Sequence, residues 1–266
     1  GLFHMINHAL YKSGLFLSAG SVETQTGKSD LDETGGLAKN MPITFISALI
    51  FALAISGIPP LNGFASKWMI YQGIIDFGQN AAGVAGQLWI VWLALAVLGS
   101  ALTLASFVKF ISGIFLGRRK KEFENIKEVH FLMWLPKLLL ALTCLAFGVF
   151  ATNWAVPQLF EPYTGTIDFI GIWQSTTVSL LVLISIILGV IIYLAGNIKN
   201  MRTADLFIGG ESIREETEFK VTEFYNTVRE LKPLDTIYKK AEKRWFDIYD
   251  LSKKGFYGLN KVFSIM

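Results

Sequence analysis

Two prolines inside a long apolar stretch constrain this chain more than any other feature. Ile43 to Ser56 is apolar, and so, apart from Lys67, is Phe64 to Ile75. The element they form spans residues 43–77, well beyond the roughly 20 residues that a straight membrane span needs. Between the halves stands Gly57-Ile-Pro-Pro-Leu-Asn-Gly-Phe-Ala-Ser-Lys67. Proline lacks a backbone donor and clashes with the preceding turn, so the helix is predicted to break at Pro59 and Pro60, flanked by Gly57 and Gly63. At membrane depth the freed backbone groups are tolerated only inside protein or beside a wet cavity. Lys67 follows the break by about two helical turns. A broken helix with a lysine beside it predicts an ion-handling element. A packing kink with a snorkelling lysine is the plainer alternative.

The rest of the composition agrees with a membrane setting. Of 266 residues, 52% are hydrophobic and 17% charged, which is too apolar for an ordinary soluble domain and fits a polytopic membrane protein. A net charge of +3 gives no reason to invoke nucleic acid. The one cysteine, Cys144, lies in an apolar run and has no cysteine partner within the chain. His4, His8 and His130 do not have zinc-site spacing, and no glycine-rich phosphate loop or catalytic triad is present. The opening segment has no basic region of the signal-peptide kind. It reads as the inside of a helix, which predicts a fragment or one half of a split subunit.

In order, Leu2 to Val22 is predicted as the first span. His4, His8 and Lys12 recur every four residues and so share one helical stripe. Ionisable groups on one stripe of an apolar helix do not comfortably face lipid. Imidazole is both donor and acceptor and titrates near neutrality, so the stripe predicts a proton relay. A single buried structural histidine is the plainer reading of each ring taken alone. Ser21 to Asn40 is predicted as a loop, followed by the broken second span and Asp76 at its far end. Leu88 to Leu116, Phe131 to Ala151 and Ile172 to Leu194 are predicted as the third to fifth spans. Lys109 and Lys137 both lie near the basic loop that starts Gly117-Arg-Arg-Lys-Lys-Glu, and Lys109 is expected to snorkel towards it. His130 is expected to be exposed or interfacial. By the retention of Lys and Arg on the cytoplasmic side, that loop and the tail from Lys199 are predicted to be cytoplasmic.

The tail keeps apolar stripes among its charges. Val221, Phe224, Tyr225, Val228 and Leu231 form one; Ile237, Tyr238, Ala241, Trp245, Ile248 and Tyr249 form another. Pro233 is predicted to separate them. Such helices suit a membrane interface or the flank of partner helices.

Two motifs now carry a resemblance. Phe3-His-Met-Ile-Asn-His-Ala-Leu-Tyr-Lys-Ser-Gly-Leu-Phe-Leu-Ser-Ala-Gly20 and the Gly57–Lys67 segment, in that order, resemble the antiporter-like subunits of respiratory complex I. That family includes Mrp-type cation/proton antiporters and the membrane arms of energy-conserving hydrogenases and ferredoxin-oxidising complexes. The resemblance covers Gly1 to about Leu194. The tail, with Leu206-Phe-Ile-Gly-Gly-Glu211 and Lys243-Arg-Trp-Phe-Asp247, is more similar to archaeal-type complexes. The resemblance implies the later part of such a subunit. The earlier repeat and its Glu–Lys pair would then lie in a missing N-terminal half or a companion antiporter-like subunit. His4, His8 and Lys12 match central-axis relay groups, and Lys67 matches the broken-helix residue, which is lysine in some members and glutamate in others.

The expectation is therefore an all-α integral membrane chain with about five transmembrane helices, one broken at Pro59-Pro60, and a cytoplasmic-side amphipathic tail. Residues 1–196 would form the translocation bundle and 197–266 a lateral-helix-like tail. The expected function is translocation of protons, or sodium/proton exchange, in an energy-conserving membrane as the non-redox subunit of a redox-driven complex. No cofactor is expected in this chain; iron–sulfur clusters and other redox centres are expected in partner subunits. Other membrane-arm subunits and lipid are the expected partners. The rival readings are a stand-alone Mrp-like antiporter subunit and a non-conducting structural piece.

Overall fold

The structure is a computed structural model and describes residues 1–81, 83–116, 120–167, 175–195, 229–253 and 256. Among them every regular element is helical. The chain forms two compact units, Gly1–Ser212 and Ile213–Met266.

In the first unit, α1 (Leu2–Thr26) outlasts the predicted span by about a turn. Ser21, Thr24 and Thr26 return their hydroxyl protons to carbonyls four residues back, so polar residues continue the helix there. Gly27 then ends it in the left-handed region, at φ 67°. Two short 3-10 turns, Leu31–Glu33 and Leu37–Lys39, lead to α2 (Pro42–Ser56). The predicted break is observed. Gly57 closes α2 with φ 82°, and the Ile58 amide donates to the Leu53 carbonyl at 3.0 Å. The helix resumes only as α3 (Asn62–Asn80).

After the single turn α4 (Val84–Gln87), α5 (Trp89–Ile111) runs on through a wider π turn, Ser112–Leu116. His130 is exposed and caps α6 (Phe131–Val149), accepting from the Leu132 amide. The turns α7 (Val156–Leu159) and α8 (Glu161–Thr164) precede α9 (Ser175–Ala195). Trp89–Leu116 and Phe131–Val149 are long and apolar enough to cross a membrane; Pro42–Ser56 and Thr176–Ile192 are shorter apolar helices.

Helices α1, α2, α3, α5 and α6 pack on one another, with α2 and α6 at the centre and α9 against α6. The buried apolar side chains fall into three groups along the bundle. Val22, Leu37, Met41 and Phe115 lie towards the basic-loop end; Tyr11, Leu15, Phe51 and Ala141 lie in the middle; Phe3, Ala155 and Phe160 lie at the other end. The outer faces stay apolar: Ile90, Leu95, Leu98 and Leu102 of α5 and Ile184, Ile187 and Ile191 of α9 are exposed. Helices in lipid gain little from hiding apolar surface and associate through close van der Waals contact, which favours small residues at contacts. Three glycines serve that purpose. A Cβ on Gly14 would enter the Phe51 ring, one on Gly63 the Ala54 carbonyl, and one on Gly148 the Pro60 carbonyl.

In the second unit, α10 (Lys232–Glu242) starts with Pro233 in its first turn, where no amide donor is required. Lys239 pairs with Asp235 at 2.7 Å, and Arg229 pairs with Glu242. Lys240 stands 5.4 Å from the Trp245 ring centroid. Ile237, Tyr238, Trp245, Ile248 and Tyr249 are exposed. Residues 117–119 of the basic loop, 206–211, and the apolar stripe from Val221 to Val228 lie outside the described residues.

Candidate ion-translocation site at the broken helix

The break brings α1 and α3 together. His4 Nδ1 lies 2.9 Å from Ser66 Oγ, and Ser66 in turn reaches the Gly63 carbonyl at 3.2 Å. One tautomer of His4 donates to Ser66, which then donates to Gly63; the other accepts the serine proton. The contact therefore links the histidine helix to the residue next to Lys67.

Lys67 is half-buried on α3 and lies back against the break. Its stem is so close to Gly57 that a Cβ there would stand 2.9 Å from Lys67 Cδ and 3.7 Å from Nζ. Gly57 thus serves twice, adopting a positive φ and leaving room for the lysine. The ammonium sits beside the C-terminal end of α2, where the helix dipole is negative and favours a cation.

The remaining stripe residues are placed less alike. The His4 and His8 ring centroids are 6.3 Å apart, and His8 meets Tyr11 edge-on at 5.5 Å. Both histidines are half-buried, whereas Lys12 is exposed on the outer face of α1. The structure therefore sets His8 beside His4, and His4 against Ser66, the residue before Lys67, and leaves Lys12 exposed.

Sequence reasoning passed over two features nearby. Asn7 and Asn62 are wholly buried and form a reciprocal pair: Asn62 Nδ2 donates to Asn7 Oδ1 at 3.0 Å, and Asn7 Nδ2 donates to the Asn62 carbonyl at 3.3 Å. This pair ties the first turn of α3 to α1 and satisfies backbone that the break exposes. Asn62 Oδ1 and Tyr11 Oη are buried with no hydrogen-bond partner among the described residues, and Tyr11 belongs to the middle apolar group. The signal for the pair was Asn7 itself, an amide between two histidines of an apolar helix. The second feature is Lys137. It does not snorkel; its side chain is fully buried on α6, with Nζ 2.6 Å from Ser21 Oγ and 2.7 Å from Thr44 Oγ1. Nothing in its neighbouring sequence marks it out from Lys109.

Comparison with known proteins finds relatives of this arrangement. Residues 1–91 match the family described as NADH:quinone oxidoreductase/Mrp antiporter, transmembrane. The chain is 41% identical over 161 residues to formate hydrogenlyase subunit 3 of Escherichia coli (strain K12), covering 60% of this chain and 26% of that one. It is 36% identical over 169 residues to Na(+)/H(+) antiporter subunit A1 of Staphylococcus haemolyticus (strain JCSC1435), covering 63% and 21%. The matches thus span about a quarter of the length of these curated relatives. Among solved structures, a chain of the membrane-bound sulfane sulfur reductase, an archaeal respiratory membrane complex, aligns with 99% of this chain and 46% of its own length, at a TM-score of 0.70 and 26% identity. A chain of the Mrp complex from Dietzia sp. DQ12-45-1b aligns with 62% of this chain and 38% of its own, at a TM-score of 0.50 and 25% identity. The two motifs, the broken helix and these similarities agree: over residues 1–91 this membrane chain matches the antiporter-like transmembrane family of NADH:quinone oxidoreductases and Mrp antiporters.

Proposed function

We propose that this chain is an ion-translocating membrane subunit of a redox-driven complex, carrying protons or exchanging sodium for protons. The observation that carries this reading is the His4–Ser66 contact beside Lys67 at an interrupted helix. A charge change in a neighbouring subunit would shift the balance between the charged and neutral forms of Lys67. A proton would then pass along His8 and His4 and leave past Lys67 through the break, with Lys12 joining the path where a companion segment covers α1. Five spans, with the basic loop and the tail on the cytoplasmic side, fit this reading and the charge bias of the loops. Redox centres, iron–sulfur clusters among them, belong to partner subunits in this scheme. Similarity to an archaeal respiratory complex supports the redox-driven setting.

The test is on the histidines. In vesicles reconstituted with the complex, His4→Leu is expected to lower ion translocation by about 10²-fold, the usual scale for losing a positioned proton-transfer group. His4→Gln keeps a hydrogen bond to Ser66 but cannot carry a charge, and it is expected to fail equally. Normal translocation by both variants refutes the relay.

Similarity to Na(+)/H(+) antiporter subunits supports a second reading, a stand-alone Mrp-like antiporter. Purification separates the two: redox subunits co-purify in the first case and are absent in the second. The tail is assigned a clamping role along neighbouring subunits, because among its described residues Ile237, Trp245 and Ile248 are exposed. Deleting it is expected to loosen the assembly on native gels before translocation falls. An intact complex that no longer translocates overturns the clamp.

A further inference from the structure

A second polar network lies at the basic-loop end of the bundle, apart from the break. Lys137 is seven residues into α6, about 9 Å from the helix end, and its side chain is fully buried. Thr44 and Ser21 are also buried, on the first turn of α2 and near the end of α1. The two hydroxyls hold the ammonium, but they lead to different places. Ser21 Oγ gives its one proton to the Leu17 carbonyl at 2.8 Å. That branch ends on backbone, which does not take up a proton. Thr44 Oγ1 gives its proton to Glu128 Oε1 at 2.6 Å. That branch ends on a carboxylate, which does. Because both hydroxyl protons are directed away from Lys137, each oxygen presents a lone pair to it, so the ammonium is the donor in both contacts. The order Lys137 to Thr44 to Glu128 is thereby fixed.

Glu128 has a structural duty as well. Its Oε2 accepts the Ile43 and Thr44 amides at 2.8 and 3.0 Å, capping α2 from the loop. A capping carboxylate needs neither a hydroxyl bridge nor a buried lysine behind it. An ammonium buried among helices with hydroxyls as its contacts is costly unless the site uses its charge. Glu128 is half-exposed and is the charged group acting on Lys137; Lys127 and His130, beside it in the chain, are exposed.

We propose that Lys137, Thr44 and Glu128 form a proton-exchange site at the basic-loop end of the bundle, passing protons between the buried lysine and the loop surface. The step balances by proton transfer alone. An N–H bond of Lys137 breaks as an O–H bond forms on Thr44 Oγ1, while the original Thr44 O–H breaks and its proton joins Glu128 Oε1. A charged pair becomes a neutral amine and a neutral carboxylic acid, and loss of the Glu128 proton to water completes the transfer. The site gives the proposed translocation path an exchange point on this face, and it rests on that reading for its use.

The test uses the reconstituted complex. Thr44→Val keeps shape and removes the hydroxyl; it is expected to lower proton flux about 10²-fold. Thr44→Ser returns the hydroxyl and is expected to restore the flux. Glu128→Gln keeps an oxygen for the α2 cap and removes the titrating group, and it is expected to match Thr44→Val. Infrared difference spectra of the reconstituted complex, taken at constant pH with and without an imposed membrane potential, are expected to show a protonated-carboxyl band that Glu128→Gln lacks. Absence of a Glu128-dependent band at constant pH overturns the exchange site whatever the fluxes, since a carboxylate that only caps α2 has no proton delivered to it from Lys137. Wild-type flux in both Thr44→Val and Glu128→Gln overturns it too. A wild-type complex that carries no ions but shows the Glu128 band supports the exchange site and removes the translocation reading instead.

Discussion

Lys67→Ala is expected to abolish ion translocation in reconstituted vesicles while leaving the complex assembled. The loss should reach about 10²–10⁴-fold, the range for removing a group that itself takes up and releases the proton. Assembly should survive because Lys67 is half-buried and no core cluster depends on it. Gly57, against which its stem lies, takes its left-handed conformation as a glycine and does not need the lysine for it. Lys67→Glu restores a titrating group, and it is expected to recover part of the activity. Lys67→Gln, which keeps polarity but not titration, is expected to stay inactive. Flux measured with a pH-sensitive dye, alongside native gels for assembly, checks the set; full translocation by Lys67→Ala removes Lys67 from the path.

The second large effect concerns packing. Gly148→Ala adds a single methyl group, yet its Cβ would run into the Pro60 carbonyl and the backbone of Leu61 and Asn62. Backbone does not swing aside as a flexible side chain does, so α6 must move off the break. Overpacking of this kind costs about 1–3 kcal/mol, sometimes more. The midpoint of thermal unfolding in detergent is expected to fall accordingly, and translocation with it. Gly99→Ala on α5 is the matched control. Its added Cβ meets nothing within 4 Å. Alanine is also favoured over glycine in a helix by about 1 kcal/mol, so that variant is expected to melt no lower than wild type. Equal melting of Gly148→Ala and wild type would show that α6 does not press on the break.

These two predictions draw on different sources of information. Lys67 stood out in the sequence because its setting is local: a proline pair, two glycines and a lysine within eleven residues. Gly148 did not, since what a glycine accommodates depends on the helix opposite. The stripe His4, His8 and Lys12 was legible as a period, but a period does not say which face is covered. In the structure the two histidines turn partly inward and Lys12 outward, because α1 packs on α2, α3 and α6 and leaves the Lys12 side uncovered. The tail's second apolar stripe was equally legible, while its cover lies beyond what a stripe can specify.

By itself the sequence determined the helices, the interruption at Gly57–Leu61 and the family motifs. Each depends on groups close together along the chain: a missing proline amide, a glycine free to take positive φ, a hydrophobic run of sufficient length. Only the tertiary structure decided what surrounds the buried polar groups. Asn7 meets a partner 55 residues away, and Lys137 meets Ser21 and Thr44 across 116 and 93 residues. Nothing local distinguishes Lys137 from a lysine that reaches up to the interface. Its burial follows from α1 ending and α2 beginning beside it, so that two hydroxyls and a carboxylate behind them replace the water that a snorkelling lysine would have found.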